Sequence, residues 1–399
     1  MLATLFGALA VIQAELAPKG WQHELVVHES FEDFYADGMA SAYRSELNAE
    51  APVALTAGHV HGGPEQIDAY WDSNPESRAP EWLDGFYESR ELVVEQGFQE
   101  LVASWNVHVP AGAGMCFELR VREDSSAPWT PWMYVGDWGQ ALPPTLYLRR
   151  ADPGGPRVDF TAPRTVKVPG GELVVDYFKS DTRWTRAQYR VRTHVANPEV
   201  PQIVRLRRVA LCFSRRGDGS ISAGSPRAAR ERLAVPFRSQ KAEKAELAPR
   251  ICSPTSLAMV MAFHGVEVPT TQVAQRCFDS THDIFGNWPR AVQSAYSFGL
   301  PGYVARFASW SEVESRLAAR QPLVISIAAG VGELSGAPYP ATEGHLLVLA
   351  GLDGAGGALV CDPAAPDAAS GVTTYKLSEL ERVWMARGGT AYVLAPREK

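Results

Sequence analysis

The sequence has no excess of basic residues. Its 399 residues contain 38 Lys and Arg against 45 Asp and Glu, which gives a net charge of −7. Residues 1–213 are the more acidic part, with 19 basic against 28 acidic side chains. Proteins that bind nucleic acids need a basic surface to meet the phosphates, so we expect no nucleic-acid partner.

Cysteine is also scarce, with five residues in the chain and no CxxC pair. Zinc ribbons and thioredoxin-type redox sites need that spacing, so the sequence argues against both. Cys116 and Cys212 lie in strand-like runs, where a disulfide between them and two separate thiols are both open.

Long hydrophobic runs are missing as well. A helix that spans a bilayer needs about 20 apolar residues, so no membrane span is predicted. The shorter apolar, uncharged run Leu2–Ile12 is typical of a secretory signal peptide. We therefore predict a signal peptide over residues 1–14 and a secreted or cell-envelope location. The alternative is a hydrophobic N-terminal helix that packs on the first domain.

Residues 20–213 are predicted to form an all-β domain. Phe117, Leu119 and Val121 alternate with charged residues, which is the period of a half-buried strand. Many short strands at this spacing favour a sandwich or jelly-roll-like fold. The strand-like runs are Glu100–Val109, Met115–Arg122, Thr145–Arg150, Gly171–Phe178, Ala187–His194 and Ile203–Phe213.

Eight of the 11 Trp residues lie in this first domain, and Trp129, Trp132 and Trp138 are close together in sequence. Exposed indoles can stack on sugar rings, whereas buried indoles fill the core of a sandwich. Because the domain is acidic, a ligand would be a neutral glycan or a peptide rather than an anionic polymer. Both interpretations stay open.

Residues 214–233 are rich in Gly, Ser and Arg and carry no apolar period, which predicts a linker. We expect few contacts to cross it, so that residues 230–399 would fold alone and keep the chemistry. From residue 234 onward the pattern becomes mixed and predicts an α+β domain over 234–399. The predicted helices are Pro254–His264, Glu312–Arg320 and Ser378–Ala386, and the predicted strands are Leu323–Ala328, Leu346–Leu352, Ala358–Asp362 and Thr390–Leu394.

Cys252 stands just before the helix that is predicted to begin near Pro254. A thiol at such a position faces unpaired backbone N–H groups and the positive end of the helix dipole. Both favour the thiolate, which is the nucleophilic form. The competing interpretation is a buried structural cysteine.

A candidate base and a candidate acid follow later in this domain. His345 opens the apolar strand HLLVLAGLD, and Asp362 ends the next strand. If the Gly-rich residues between them form a hairpin turn and Leu352 pairs with Ala358, Asp362 comes close to the strand that carries His345. Asp362 would then orient the imidazole, and His345 would deprotonate Cys252. The alternatives are a surface His and an Asp-Pro turn residue.

Gln240 closes the run AVPFRSQ upstream of Cys252, and its side-chain amide could join the Cys252 N–H in an oxyanion hole. With these four residues in this order, the chain resembles papain-like cysteine peptidases of the bacteriocin-processing type (the peptidase C39-like family). The resemblance covers residues 234–397 and rests on VPFRSQ, CSPTSLAMVM, FGNWPRAVQSAYSFGL, EGHLLVLAGLD and VCDPAAP. The strand-rich first half is also similar to the sandwich that precedes such domains in some bacterial members.

The resemblance implies that Cys252 is the nucleophile, His345 the base, Asp362 the orienting acid and Gln240 the oxyanion amide. It implies a peptide or protein substrate and no metal or organic cofactor. The family usually has Gly directly after the nucleophile, where this chain has Ser253. An acyltransferase that uses the same triad, and an inactive protein that acts by binding, are the alternative functions.

Overall fold

A computed structural model of the protein describes residues 19–35, 39–40, 53–56, 59–60, 83–139, 165–195, 203–220, 224–226 and 228–395. The predicted signal peptide and the predicted strand Thr145–Arg150 lie outside these ranges. In the first domain, strands dominate, as expected. They are β1 (Lys19–His28), β2 (Met39–Ala40), β3 (Val53–Thr56), β4 (His59–Val60), β5 (Leu83–Glu88), β6 (Leu92–His108), β7 (Ala113–Arg122), β8 (Met133–Gly139), β9 (Thr165–Val168), β10 (Gly171–Val174), β11 (Tyr177–Val195) and β12 (Ile203–Ser220), with the short helix α1 (Phe31–Tyr35).

These strands form one large antiparallel sheet that folds over onto itself. The 19-residue strand β11 pairs with β6 through its first half and with β5 and β7 through its second half. Trp105 on β6 stacks on Phe117 of β7 with ring centres 4.8 Å apart, although these two strands are not neighbours in the sheet. Phe117 in turn stacks on Tyr189 at 5.4 Å. The predicted all-β, sandwich-like class is therefore confirmed.

One predicted strand is wrong in its extent. Residues Gly171–Phe178 form two strands, β10 and the start of β11, joined by a tight turn at Val175 and Asp176. Val175 has a φ of 53°, a left-handed conformation that a β-branched residue rarely adopts. The apolar run gave no sign of this break because it contains neither Gly nor Pro within the turn. The turn places the Asp176 carboxylate in the contact between the two domains.

The second domain is α+β, as predicted. Its helices are α2 (Cys252–Phe263), α3 (Thr270–Cys277), α4 (Trp288–Ser297), α5 (Trp310–Ala318), α6 (Ala368–Gly371) and α7 (Leu377–Val383). Its strands are β13 (Gly302–Arg306), β14 (Leu323–Ala329), β15 (Thr342–Leu352), β16 (Gly357–Cys361), β17 (Val372–Lys376) and β18 (Thr390–Leu394), in the spatial order β13-β18-β14-β15-β16-β17. Helix α2 packs on β14 and β15 and is buried over almost its whole length.

The segment between the domains is more ordered than a free linker. Strand β12 continues to Ser220, seven residues into the segment predicted as a linker. Near the far end of that segment, the N–H of Arg230 donates to the carbonyl of Leu352 at 2.7 Å, and the N–H of Leu233 donates to the carbonyl of Ala350 at 2.8 Å. The Gly, Ser and Arg composition did not predict this pairing, because backbone hydrogen bonds place little demand on side chains.

The two domains share an extended contact centred on β6. Residues 101–107 of this strand are all buried, because alternate side chains face opposite domains. Trp105 belongs to the core of the first domain, whereas Val102 belongs to the core of the second. Polar side chains on the same face as Val102 contact β13, which is an edge strand of the second sheet.

The outward N–H groups of β13 are capped by side chains of the first domain. Gly302 donates to Asn106 Oδ1 at 3.1 Å, and Val304 donates to Ser104 Oγ at 3.0 Å. The Arg306 N–H donates to the sulfur of Cys212. Cys212 and Cys116 are both buried, and they do not form a disulfide with each other. Unpaired edge N–H groups invite pairing with other chains, so this cover protects the second sheet.

Side chains of the second domain complete the contact. The amide of Gln293 on α4 accepts from the N–H of Val107 at 2.9 Å and donates to its carbonyl at 2.8 Å. Arg306 forms an ion pair with Glu100, and both residues are largely buried. The N–H of Trp288 donates to Asp176 at 2.6 Å. The expectation that few contacts cross the domain boundary is therefore wrong.

Arginine side chains lie over the rings of two of the three clustered Trp residues. The guanidinium of Arg120 lies over both Trp129 and Trp132, at 4.9 and 4.3 Å from their ring centres. A second guanidinium covers each ring, from Arg122 on Trp129 and from Arg190 on Trp132. The third indole, at position 138, is buried in the domain contact. A glycan ligand of this domain stays a prediction. The arrangement of these indoles does not support binding by stacking of a sugar ring on them.

The isolated fragment 230–399 should lose the cover of β13, so we expect it to aggregate or to unfold without a cooperative transition. Size-exclusion chromatography and thermal circular dichroism, compared with the full chain, measure this directly. Adding fragment 1–226 in trans should restore a soluble complex. A monomeric fragment 230–399 that unfolds cooperatively at the temperature of the full chain would show that the interdomain contact is dispensable.

Candidate active site

Helix α2 begins at Cys252 itself, which places this side chain at the amino end of a buried helix. The N–H of Thr255 and its hydroxyl both donate to the carbonyl of Ile251, at 3.0 and 2.7 Å. These two hydrogen bonds stabilise the first turn of the helix, which carries the Cys252 thiol. The backbone N–H of Ser253 and that of Leu346 donate to the Cys252 sulfur. The predicted location of the thiol at a helix start is what the structure shows.

The β15–β16 hairpin brings His345 and Asp362 together. Leu352 pairs with Ala358, as expected, but a β-bulge at Ala350 shifts the register by one residue, so that Val348 faces Cys361. Asp362 therefore lies one residue closer to His345 than a regular hairpin would place it. Bulges are common next to active sites because they redirect side chains in this way.

Cys252, His345 and Asp362 form one hydrogen-bonded chain. Nε2 of His345 lies 2.8 Å from Oδ1 of Asp362. The same imidazole makes a hydrogen bond to Cys252, which its remaining ring nitrogen, Nδ1, must supply. His345 is 5% exposed and Asp362 is fully buried, whereas Cys252 is half-buried and open to a reactant. The structure thus brings together three of the four predicted site residues.

The electrostatics of this chain favour a thiolate and an imidazolium. Burial disfavours the charged imidazole, but its hydrogen bonds to Asp362 and Cys252, with the negative charges of these two groups, outweigh burial and raise the pKa of His345 to about 10. Burial also disfavours the thiolate, but the hydrogen bond and charge of His345, together with the backbone donors, lower the pKa of Cys252. The order of the two pKa values is therefore the reverse of that in water.

Asp362 is kept ionised by four donors. His345 Nε2 and the N–H of Ala364 reach Oδ1 at 2.8 and 3.0 Å. The hydroxyls of Tyr339 and Tyr375 donate to Oδ2 at 3.1 and 2.8 Å. Burial opposes ionisation, yet the hydrogen bond and charge of His345, with the other donors, hold the pKa of Asp362 below its usual value. The sequence pattern did not reveal the two tyrosines, because neither lies in a motif with a fixed spacing to the acid.

Ser253 does not crowd the thiol. Its side chain is buried, and its hydroxyl lies 3.0 Å from the hydroxyl of Tyr392 on β18, the strand next to the edge strand β13. The side chain therefore packs into the core of the second domain. The departure from the usual Gly leaves the exposed side of Cys252 unaltered.

Gln240 lies at the border of the site rather than in the hydrogen-bonded chain. Its backbone N–H donates to the carbonyl of Pro363, next to Asp362, at 2.9 Å. Its side-chain nitrogen donates to the carbonyl of Ala248, four residues ahead of Cys252, at 2.8 Å. The residue thus ties the acid loop to the segment that leads into α2. Only one of its two amide protons is used in the bond to Ala248.

Other polar residues near this region have structural partners. The ring of His282 bonds to Asp279 at 2.8 Å, and Asn287 caps α4 by accepting from the N–H of Arg290. Trp288 stacks on Tyr177 of the first domain, with ring centres 5.7 Å apart.

No metal centre stands out in the described ranges, because no three His, Cys, Asp or Glu side chains are grouped as metal ligands there. Among the helices that the structure describes, none has the length and apolar character needed to cross a membrane.

The strand-rich first domain and the helix-plus-sheet second domain, with a Cys at a helix start opposite a His on a strand, define a papain-like fold. Comparison with known protein families identifies the family within this fold. Residues 232–392 match the Peptidase_C39 like family, and residues 23–214 match the Peptidase C39 N-terminal domain. The second domain therefore belongs to the peptidase C39-like family, as the resemblance implied. No curated protein matches the chain.

The rate of Cys252 alkylation should report the coupled pair. Because the pKa of Cys252 is lowered and that of His345 is raised to about 10, alkylation of Cys252 by iodoacetamide should be half-maximal at a lower pH than alkylation of a free thiol. In His345→Ala the midpoint should move to about 8.5 or higher, the range of a free or buried thiol. His264→Ala, at the far end of α2, is the matched control and should keep the wild-type profile. Equal profiles for wild type and His345→Ala would exclude the pairing.

Asp362→Asn should weaken the site without abolishing it. The amide oxygen can still accept from His345 and Ala364, and the amide nitrogen can donate to the two tyrosine hydroxyls, which can also act as acceptors. Loss of the charge should cost about tenfold in kcat/KM and lower the pKa of His345, so activity should fall at a lower alkaline pH. Complete loss equal to that of His345→Ala would show that the acid does more than orient the ring.

Proposed function

We propose that the protein is a cysteine peptidase that hydrolyses peptide bonds through Cys252, His345 and Asp362. The family match supports a peptidase-related fold, and the observation that carries the proposal is the buried, hydrogen-bonded chain of these three residues. Reversal of the thiol and imidazole pKa values is the condition for a nucleophilic sulfur at neutral pH.

In the first half of the reaction, the Cys252 thiolate attacks the carbonyl carbon of the scissile peptide bond and forms a carbon–sulfur bond. His345, held as an imidazolium by Asp362, then gives the proton on Nδ1 to the nitrogen of the leaving amine. The peptide C–N bond breaks and a thioester remains. In the second half, His345 takes a proton from water and the hydroxide attacks the thioester carbonyl. The carbon–sulfur bond then breaks, a carboxylic acid leaves, and the Cys252 thiolate and the His345 imidazolium are restored.

The oxyanion that forms in each half needs donors. The backbone N–H of Cys252, at the start of α2, is the first of them in this proposal, and the second amide proton of Gln240 is the other. The support for Gln240 is its burial and its attachment to both the acid loop and the segment before the nucleophile. A fixed amide is useful here because it needs no reorganisation as charge develops.

The substrate in this proposal is a peptide or a protein, which follows from the family. The apolar run Leu2–Ile12 supports a secreted or cell-envelope location for the enzyme. The first domain is in this proposal a structural support for the second, because it caps β13 and contacts α4. Its acidic character is compatible with a neutral glycan or a peptide as an additional ligand.

Cys252→Ala should abolish turnover of a mixed peptide library while leaving the fold intact. The sulfur is the only atom removed, and the other four cysteines are buried and cannot replace it. Mass spectrometry of the products measures turnover, and circular dichroism checks the fold. Products that carry an added amine instead of a new carboxylate would identify the chemistry as acyl transfer.

Cys277→Ala is the matched control for this experiment. Cys277 lies in the same domain, and burial raises the pKa of its thiol to about 12, so it should not react. The control variant should keep wild-type turnover apart from a small loss of stability. If Cys252→Ala retains more than a few per cent of wild-type activity, or if the wild type cleaves nothing and is alkylated like a free thiol, the proposed function is wrong.

A further inference from the structure

The Asp362 carboxylate uses its second oxygen for contacts that the proposed reaction does not require. Oδ1 holds His345, whereas Oδ2 accepts from the hydroxyls of Tyr339 and Tyr375. Hydroxyls that donate to a carboxylate stabilise its charged form, and a buried carboxylate has no water to do the same. The two phenols therefore complete the shell of the acid.

The two tyrosines differ in what else they contact. Tyr375 lies on β17 in the core and is 1% exposed. Tyr339 is half-buried and belongs to the segment 330–341 between β14 and β15. Its ring meets the imidazole of His345 edge-on, with ring centres 4.8 Å apart and an angle of 61° between the planes. Tyr339 thus contacts both His345 and Asp362, whereas Tyr375 makes hydrogen bonds to Asp362 and to Tyr339.

The segment that carries Tyr339 is held at two points. Glu333 accepts from the N–H of Gly330 at 2.7 Å and from Arg387 at 3.1 Å. Ser335 donates through its N–H and its hydroxyl to Glu379, at 2.8 and 2.9 Å. These anchors connect the segment to the helical turn before β18 and to α7. The segment that carries Tyr339 is therefore held by elements other than β15 and β16, the strands that lead to His345 and Asp362.

We propose that Tyr339 is a positioning residue for the His345–Asp362 pair. Its ring limits rotation of the imidazole and covers the hydrogen bond to Asp362, while its hydroxyl occupies Oδ2. Excluding water strengthens that bond, because charges interact more strongly in a medium of low dielectric constant. This inference rests on the proposed function for its catalytic meaning, but the placement of the imidazole can be tested without a substrate.

Three variants separate the ring from the hydroxyl. Tyr339→Phe keeps the ring contact and loses one hydroxyl, and Tyr375→Phe loses the other hydroxyl at the same oxygen. Each should lower kcat by about tenfold or less, because one hydrogen bond to a charged group is lost. Tyr339→Leu loses both contacts and should lower kcat by about 100-fold with KM nearly unchanged, since misplacement of a catalytic group costs about that much.

The decisive readout is the titration of His345 by NMR of the protein labelled with ¹⁵N-histidine, with the resonance assigned from His345→Asn. Tyr339→Leu should lower the pKa of His345 by about one unit or more, and the two Phe variants should lower it less. The alkylation midpoint of Cys252 should rise in the same order. Tyr303→Phe, a half-buried tyrosine in the domain contact, is the matched control and should change neither quantity.

Each outcome decides a different point. An unchanged His345 titration in Tyr339→Leu overturns the inference. Equal shifts in Tyr339→Leu and Tyr375→Phe would mean that the ring of Tyr339 has no effect beyond that of its hydroxyl, and this result also contradicts the inference. If the wild type hydrolyses no peptide but Tyr339→Leu still shifts the His345 titration, the proposed function fails and the positioning role stands.

Discussion

A fully buried negative charge on Asp362 sets the requirements that the second domain has to meet. A carboxylate without water must be surrounded by donors, and a missing donor would cost several kcal/mol. The four donors come from four places in the chain: strand β15, the loop after β16, the segment before β15, and strand β17. Their common acceptor fixes how these elements lie relative to one another. The His345 imidazole is one of the four, so its orientation follows from the same requirement.

The contact between the domains also supplies hydrogen-bond partners to buried polar groups, in this case the N–H groups at the edge of the second sheet. Residues 101–107 of strand β6 are buried on both faces, whereas strands of antiparallel sheets commonly have one face exposed to solvent. One face supplies Trp105 to the first core, and the other supplies Ser104 and Asn106 to the unpaired N–H groups of β13. Ser104 and Asn106, which lie between apolar residues of this strand, are therefore not solvent-facing. They are the hydrogen-bond partners of the other domain.

Features that depend on local sequence could be predicted, and features that depend on distant contacts could not. A helix start near Pro254, two residues after the observed start at Cys252, and the pairing of Leu352 with Ala358 follow from patterns within about 15 residues. The bulge at Ala350 could not be predicted, because its carbonyl pairs with Leu233, more than 100 residues earlier. The fold class of both domains followed from alternation and helical periodicity, which survive without knowledge of tertiary contacts.

The tyrosines around Asp362 and the polar cap on β13 escaped prediction for the same reason. A lone Tyr, Ser or Asn carries no spacing signal, and its partner is identified only after the fold has brought the two elements together. The polar linker composition of residues 214–233 pointed to independent domains, yet Asn106 and Gln293 show how side chains far from the linker decide that question. The amino-acid composition of the linker describes the connection between the domains and says little about the surface through which the domains contact each other.

The position of β18 has a consequence for the order in which the site is assembled during folding. This strand lies between β13 and β14 in the sheet, and its Tyr392 contacts Ser253, 139 residues earlier in the chain. Closing such a long loop is slow and costs chain entropy before any contact is gained. A nascent or partly folded chain in which β18 has not inserted lacks the wall behind the first turn of α2. The first turn of α2 therefore acquires its Tyr392 contact only after β18 has joined the sheet.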